Sequence, residues 1–146
     1  MKTIKVKEWS EVPRGYTGIA EFVDGTKEWY LNGELHREDG PACEFANGEK
    51  QWYLNDKRHR VYGPAVERAD GSKEWFLNGK LHREDGPAIE YANGDKEWWL
   101  DGKRHRIDGP AVESFNGGKL YYINEEKVTK EAQEVLYGFY KLKGIL

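Results

Sequence analysis

The chain has 146 residues, with 23 basic and 26 acidic side chains, a formal net charge of −3 and 38% hydrophobic residues. A mean hydropathy of −0.92 without any long apolar run excludes a membrane-spanning helix, and the acidic balance argues against general nucleic-acid binding. Cys43 is the only cysteine, which excludes an internal disulfide and a cysteine-based zinc site. We therefore expect a cytoplasmic protein that folds as one domain.

Residues 1–17 and residues 18–124 differ in their sequence pattern. The first segment contains Trp9 and a Pro-Arg-Gly-Tyr turn sequence that fits no repeat, so we predict that it caps one end of the fold. The second segment repeats with a period of 23 residues, which is typical of a repeat architecture. Each repeat contains a Trp, a His and a Gly-Pro-Ala triplet. From the first repeat to the fourth, the Trp residues are Trp29, Trp52, Trp75 and Trp98, and the His residues are His36, His59, His82 and His105.

Each repeat carries two tight-turn sequences, which in the second repeat are Asn47-Gly48 and Asn55-Asp56. Asn-Gly and Asp-Gly pairs tolerate the positive φ angles that two-residue type I′ hairpin turns require. We therefore predict a mainly β fold, an elongated antiparallel β-meander of about four and a half hairpin repeats. A Gly-Pro pair in each repeat, such as Gly63-Pro64, predicts a bend, because proline lacks the donor for a strand hydrogen bond.

Two-residue loops set the strand register, and the register assigns each side chain to a face of the sheet. In this register Trp52 faces His59 on one side and Cys43 on the other, which predicts a Trp, His and aliphatic face. The opposite face collects aromatic and charged side chains, among them Glu28 facing Arg37 as a cross-strand ion pair. Aromatic residues and arginine are enriched at interface hot spots, so we predict that this aromatic/Arg surface binds a partner. Its residues are Tyr30, Tyr53, Phe76 and Trp99 together with Arg37, Arg60, Arg83 and Arg106.

Residues 125–146 leave the repeat pattern and change to helical spacing. Thr129 is the predicted N-cap residue, and Lys141 lies near the other end, where a positive charge is favourable. We predict that this helix covers the last repeat and prevents edge-to-edge association of the sheet. Its predicted packing face consists of Ala132, Val135, Leu136, Phe139 and Leu142.

The repeat unit resembles the MORN repeat. That family shares the 23-residue period, a strand aromatic followed by Trp, a Gly-Lys pair, a His and a later turn glycine. In the third repeat these positions are Trp75, Gly79-Lys80, His82, Gly86 and Asn93-Gly94. Arg follows each His where the family has Gly, and the Gly-Pro-Ala triplet makes the unit more similar to the divergent repeats of short bacterial and phage proteins. The resemblance covers residues 18–124 and implies an elongated β array with a binding role.

Four histidines and a repeated glutamate position invite metal and acid–base hypotheses. Consecutive histidines are two strand segments apart, roughly 10 Å, whereas zinc ligands lie about 2 Å from one ion. The glutamates recur at the common period, although a catalytic pair needs two carboxylates in different environments. We therefore expect packed and hydrogen-bonded histidines, no metal or other cofactor, and no enzymatic activity.

The preferred functional hypothesis is a non-enzymatic module that binds another protein through the aromatic/Arg surface, without a membrane or general nucleic-acid role. A second hypothesis is a stoichiometric inhibitor or immunity-type protein, for example a phage product that blocks a host defence enzyme. A third is a small-ligand or carbohydrate binder that uses the aromatic rings as platforms. End-to-end self-assembly of the repeats stays open as a fourth.

Overall fold

The structure is a computed structural model that describes all 146 residues. The chain folds into two compact units, Met1–Lys80 and Leu81–Leu146. The elements of the first unit are β1 (Thr3–Val6), a 3-10 turn (Trp9–Glu11), β2 (Gly18–Phe22), β3 (Lys27–Leu31), β4 (Glu34–Leu35), β5 (Cys43–Glu44), β6 (Lys50–Gln51), β7 (Tyr53–Leu54), β8 (Lys57–Arg58), β9 (Val66–Glu67), β10 (Lys73–Glu74) and β11 (Phe76–Leu77). The boundary between the units falls within β12 (Lys80–Leu81). The elements of the second unit are β13 (Ile89–Glu90), β14 (Lys96–Glu97), β15 (Trp99–Leu100), β16 (Lys103–Arg104), β17 (Val112–Glu113), β18 (Lys119–Ile123), β19 (Glu126–Val128) and α1 (Lys130–Leu142).

The main sheet of each unit is a meander. Its strand order is β1-β2-β3-β5-β6-β9-β10 in the first unit and β13-β14-β17-β18-β19 in the second. Neighbouring strands pair antiparallel, except that β1 pairs in parallel with β2. Between the main strands, β7 with β8 and β15 with β16 form separate two-stranded hairpins. The predicted fold class, a mainly β antiparallel meander of repeated hairpins with a C-terminal helix, is confirmed.

The turns that follow the Trp positions have the predicted geometry. At Asn55-Asp56 both residues have positive φ, 49° and 58°, and the register pairs Tyr53 with Arg58. These are the features of a two-residue type I′ loop, whose twist matches that of the flanking strands. The equivalent pairs with positive φ at both positions are Asn32-Gly33, Asn78-Gly79, Asp101-Gly102 and Asn124-Glu125.

The turns that precede the Trp positions have a different geometry, and the register predicted from them is wrong. In the second repeat only Gly48 has positive φ, and the Phe45 N–H donates to the Glu49 carbonyl across a three-residue loop. The Asn47 side chain accepts a hydrogen bond from the Glu49 N–H at 2.9 Å, which stabilises a turn closed by a glycine bulge. The extra loop residue shifts the strand register by one position.

This shift moves side chains to the opposite face of the sheet. Cys43 pairs with Gln51 rather than with Trp52, and the Trp52 N–H donates to the Ala65 carbonyl of the next strand. The half-buried Trp residues are therefore paired with the alanines of the Gly-Pro-Ala triplets. The sequence had predicted that they pair with the aliphatic column that contains Cys43. The alanines of the four Gly-Pro-Ala triplets are all fully buried: Ala42, Ala65, Ala88 and Ala111.

In each unit the residues of the aliphatic column are buried on the face away from the Trp residues. The most buried of them are Cys43 and Val66 in the first unit and Ile89 in the second, at equivalent positions of their repeats. An apolar cluster in the N-terminal region consists of Val6, Ala20 and Phe22. The predicted N-terminal cap thus contributes a strand, β1, and part of this cluster to the first unit.

Helix α1 begins as predicted but packs through a different face. The Thr129 hydroxyl accepts a hydrogen bond from the Ala132 N–H at 3.1 Å, as an N-cap residue does. The most buried residue of α1 is Gln133, whose side-chain amide donates to the Ile107 carbonyl. The predicted packing face is wrong, because much of it is exposed: Val135 by 73%, Phe139 by 49% and Leu142 by 90%. The structure contains no helix long and apolar enough to cross a membrane.

Candidate functional site

The arginine that follows each histidine is held over the Trp side of the sheet. In the second repeat the Arg60 guanidinium carbon lies 3.8 Å from the centroid of the Trp52 ring. The Nη1 group of Arg60 donates to the Pro64 carbonyl at 3.0 Å and to the Glu67 carboxylate at 2.9 Å. Stacking on one side and charge-assisted hydrogen bonds at the edge fix the orientation of the guanidinium. The same stacking joins Arg37 to Trp29 and Arg106 to Trp98.

This arginine explains the Gly-Pro-Ala triplet. A Cβ atom on Gly63 would lie 3.1 Å from Arg60 Cζ, and the φ angle of Gly63 is 126°, which favours glycine. A Cβ atom on Gly109 would likewise lie 3.0 Å from Arg106 Cζ. The following proline offers a carbonyl acceptor to the arginine, as in the Pro64 hydrogen bond. The triplet therefore shapes a loop around the guanidinium group.

The histidines join successive repeats through backbone hydrogen bonds. The Nδ1 atom of His59 accepts from the Asn78 N–H at 3.1 Å, and that of His105 accepts from the Asn124 N–H at 3.1 Å. An accepting Nδ1 atom places the ring proton on Nε2. The structure contains no group of three or more His, Cys, Asp and Glu side chains that could hold a metal ion. The His59 and His105 side chains therefore link neighbouring repeats by accepting backbone hydrogen bonds.

The second repeat lacks one contact that the other three arginines make. Their Nε atoms donate to an aspartate at 2.8–2.9 Å: Arg37 to Asp39, Arg83 to Asp85 and Arg106 to Asp108. In the second repeat Tyr62 stands at the position of that aspartate, and the carboxylate that pairs with Arg60 is Glu67, on Nη1. Tyr62 is 91% exposed, and its neighbour Val61 is 64% exposed. We call Arg60, Val61 and Tyr62 the Arg60 loop.

The missing aspartate changes the electrostatics of the Arg60 loop. In the first repeat the hydrogen bond from Arg37 and the charge of its guanidinium lower the pKa of Asp39. Arg83 lowers the pKa of Asp85 by the same two effects. In these repeats the aspartate therefore occupies the outer edge of the guanidinium. Beside Arg60 no aspartate occupies that edge, because Tyr62 stands at its position.

An open groove of about 560 Å³ adjoins the Arg60 loop. One wall is formed by residues 37–41, and the other by Trp52 together with residues 59–62. A corresponding groove of about 440 Å³ in the second unit is lined by residues 83–87 and 105–108. Each groove combines ring, aliphatic and charged surfaces, which suits the side chains of an extended polypeptide segment.

The structure does not bring the two columns of the predicted aromatic/Arg surface together. Trp29 and Tyr30 are consecutive in β3, so their side chains lie on opposite faces, and Arg37 stacks on Trp29. The Tyr30 hydroxyl contacts the Glu28 carboxylate, and burial together with this hydrogen bond raises the pKa of Tyr30. The predicted ion pair between Glu28 and Arg37 is wrong, because Arg37 donates to Glu44 and to its loop aspartate.

The rest of the aromatic column contacts Arg58 and Arg104, which lie outside the predicted set of binding arginines. Arg58 Nε donates to the Tyr53 hydroxyl at 3.2 Å, and Arg58 Cζ lies 5.3 Å from the Phe76 ring centroid. Arg104 Cζ lies 5.6 Å from the Trp99 ring centroid. This column is therefore engaged in contacts within the chain, whereas Val61 and Tyr62 of the Arg60 loop are exposed.

Sequence reasoning missed Val61 and Tyr62. A signal for them was present, because the residue two positions after the arginine is aspartate in three repeats and tyrosine in the second. The sequence analysis relied on residues that recur in every repeat. Tyr62 departs from the repeat and was therefore not selected.

The chain matches no protein-family model, and no curated protein is detectably similar to it in sequence.

Proposed function

We propose that the protein is a MORN-like repeat protein and acts as a non-enzymatic module that binds another protein. The observation that carries the proposal is the Arg60 loop, where an exposed tyrosine replaces one aspartate of a repeated arrangement. The aspartate completes the loop in the other three repeats, so the loop geometry has no need of Tyr62. A large ring held 91% in water is better explained by a partner that covers it.

The Arg60 loop has the composition of an interface hot spot. Tyrosine and arginine dominate such sites, and an exposed tyrosine loses little conformational entropy when a partner orders it. Trp52 supports the guanidinium of Arg60 from one side, so the Nε donor is already oriented before binding. Preorganisation of this kind lowers the entropic cost of association.

The partner chemistry follows from the missing aspartate. In the first, third and fourth repeats an aspartate oxygen lies 2.8–2.9 Å from the arginine Nε atom. An Asp or Glu side chain of the partner would accept the same hydrogen bond from Arg60, while Tyr62 shields the pair from water. Residues beside that carboxylate would enter the adjoining groove, whose walls are residues 37–41 and 59–62.

The variant Tyr62→Asp tests this proposal without removing any contact that holds the loop. The new carboxylate would occupy Arg60 Nε as Asp108 occupies Arg106 Nε, so both the ring and the donor are lost to a partner. We expect a protein that copurifies with the wild type to bind Tyr62→Asp at least about tenfold more weakly, as measured by calorimetry with the purified partner. Charge reversal of Arg60 is a poorer test, because it would also remove the Trp52 stack and two hydrogen bonds.

The matched control is Phe115→Asp, which places the same charge on another exposed aromatic position. Phe115 is 70% exposed and lies outside both the Arg60 loop and the groove. We expect this control to bind like the wild type. Equal partner affinity of wild type and Tyr62→Asp would reject the Arg60 loop as the site, and turnover abolished by a single substitution would reject the non-enzymatic assignment.

A further inference from the structure

Helix α1 leaves an apolar stripe uncovered. The stripe consists of Val135, Phe139 and Leu142, which are spaced at i, i+4 and i+7 and are 73%, 49% and 90% exposed. We call these three residues the helix stripe. Exposed apolar side chains are normal when they are scattered, but a stripe along one helix face is typical of helix association.

An open apolar groove of about 680 Å³ lies beside the helix stripe, between α1 and the preceding strands. Its lining includes Ile123, Val128 and Leu136, and it shares Val135 and Phe139 with the helix stripe. An apolar segment that lies along the helix stripe therefore also contacts the groove. The two features form one continuous surface around Phe139.

The charges of α1 differ between its two ends, and this indicates the occupant. Glu131 and Glu134 lie in the first half, where Lys130 balances one of them by an ion pair with Glu134 at 3.7 Å. Lys141 and Lys143 lie at the other end, without an acidic residue near them in the helix sequence. A second α1 packed antiparallel would place the acidic half of each copy beside the basic end of the other. Parallel packing would bring like charges together.

Gly138 supplies an independent argument for close helix packing. It lies in the middle of α1, where glycine costs about 1 kcal/mol relative to alanine. A Cβ atom at this position would meet nothing within 4 Å, so no contact inside the chain requires a glycine. Consider an antiparallel pair of α1 helices whose two-fold axis passes between residues 138 and 139. Gly138 then faces the Phe139 ring of the second copy and leaves room for it.

We propose that two copies of this chain associate through α1, packed antiparallel along the helix stripe. Val135 of each copy then lies opposite Leu142 of the other. The symmetry is two-fold, so the same surface serves both copies and the assembly closes at a dimer. The proposed contact uses residues of α1 alone, so its variants leave the residues of the Arg60 loop unchanged.

Sedimentation equilibrium of the purified full chain tests the dimer. We expect the wild type to convert from monomer to dimer in the micromolar range, which is usual for a small interface. Phe139→Glu should raise the dissociation constant at least about 100-fold, because it buries a charge at the centre of the contact. Tyr62→Asp is the matched control and should dimerise like the wild type, which keeps failure of this proposal distinguishable from failure of the proposed function.

Charge exchange tests the antiparallel arrangement. The double variant Glu131→Lys/Glu134→Lys and the double variant Lys141→Glu/Lys143→Glu should each be monomeric, because every antiparallel contact then joins like charges. An equimolar mixture of the two variants should recover the dimer, because the contacts again join opposite charges. Circular dichroism of each variant verifies that α1 is still formed.

Gly138→Gln separates dimer packing from helix stability. Glutamine is a better helix former than glycine, so the variant should raise the Tm while it weakens the dimer by at least about tenfold. A wild type that stays monomeric up to about 500 µM, where any stable dimer of this size forms, overturns the proposal. A dimer that persists unchanged in Phe139→Glu also overturns it.

Discussion

The arginine loops of the second and fourth repeats differ by one contact. Arg60 and Arg106 stack on a Trp ring at 3.8 and 4.0 Å, and both donate to a proline carbonyl and to a glutamate. Arg106 also donates through Nε to Asp108, whereas Tyr62 replaces that aspartate beside Arg60. The shared contacts are those that hold the loop. The contact that differs is one that the second loop forms without.

Removing the shared contacts should have the largest effect. Arg60→Ala deletes a ring stack and two charge-assisted hydrogen bonds of a side chain only 29% exposed. Arg106→Ala deletes the same contacts of a side chain 22% exposed, together with the hydrogen bond to Asp108. We expect each to lower the free energy of unfolding by about 2–3 kcal/mol in urea denaturation. Arg14→Ala, at an exposed position, is the control and should change it by less than about 0.5 kcal/mol. A loss seen only for Arg106→Ala would mean that the two loops are supported differently.

The histidine beside each arginine should have the next largest effect. His59→Ala removes the acceptor of the Asn78 N–H, which joins the second repeat to the third. We expect a loss of about 1 kcal/mol in the free energy of unfolding and faster hydrogen exchange at the Asn78 amide. Lys57→Ala, in the same hairpin but exposed, should change neither quantity. Unchanged exchange at Asn78 in His59→Ala would show that this hydrogen bond contributes nothing to the link.

Exchanging the residue that differs tests the comparison directly. Tyr62→Asp completes the second loop and should raise the Tm by about 1 °C, and Asp108→Tyr should lower it by a similar amount. Both shifts should shrink in about 1 M salt, because the added or removed ion pair is exposed. Differential scanning calorimetry at low and high salt measures them. Shifts that do not respond to salt would point to packing of the tyrosine ring instead of the ion pair.

The smallest effect on stability is expected in the core on the face of the sheet opposite the Trp residues. Cys43 and Val66 occupy equivalent positions and are 2% and 0% exposed, so Cys43→Val should change the free energy of unfolding by less than about 0.5 kcal/mol. The control Cys43→Asp, which buries a charge in the same space, should destabilise the fold strongly. A large loss in Cys43→Val would mean that the first and second repeats are packed differently.

The Cys43 thiol also gives a pH dependence. Burial raises its pKa from 9.0 to about 12, with a smaller contribution from Glu28. The unfolded chain therefore releases this proton at a lower pH than the folded chain, so stability falls as the pH rises from 9 towards 12. At pH 9 we expect iodoacetamide to label the native protein about 100-fold more slowly than the urea-unfolded protein. Equal labelling rates would contradict the burial of Cys43.

The two kinds of turn were not equally predictable from the sequence. Asn55-Asp56 was predicted correctly because its two positive φ angles depend on the residues of the turn itself. At Asn47-Gly48 the same reasoning chose a two-residue loop, whereas the hydrogen bond from the Glu49 N–H to Asn47 and the pairing of the flanking strands select a three-residue loop. Because side chains alternate along a strand, one extra residue moved Cys43 from the predicted Trp face to the opposite face of the sheet.

The candidate site was less predictable than the fold for a related reason. Arg60 was named from the sequence as a binding residue, but its position over Trp52 depends on the loop that carries it back across the sheet. Tyr62 was not named, since it becomes significant only when the aspartates of the other loops are seen to contact an arginine. The significance of Tyr62 comes from the aspartate–arginine contact that it replaces, and not from the conformational preference of the residue itself.

The sequence alone determined the repeat, the positions of the turns, the β class and the N-cap at Thr129, because each depends on residues close together in the chain. The tertiary structure decided which face holds the Trp and Arg side chains and which side of α1 is exposed. Gln133 illustrates the reason: its amide finds the Ile107 carbonyl from 26 residues earlier, and this hydrogen bond turns the helix stripe outward. Such contacts join segments that are distant in the chain. The periodicity of a segment shows which residues share a face, but not which face packs against a distant segment.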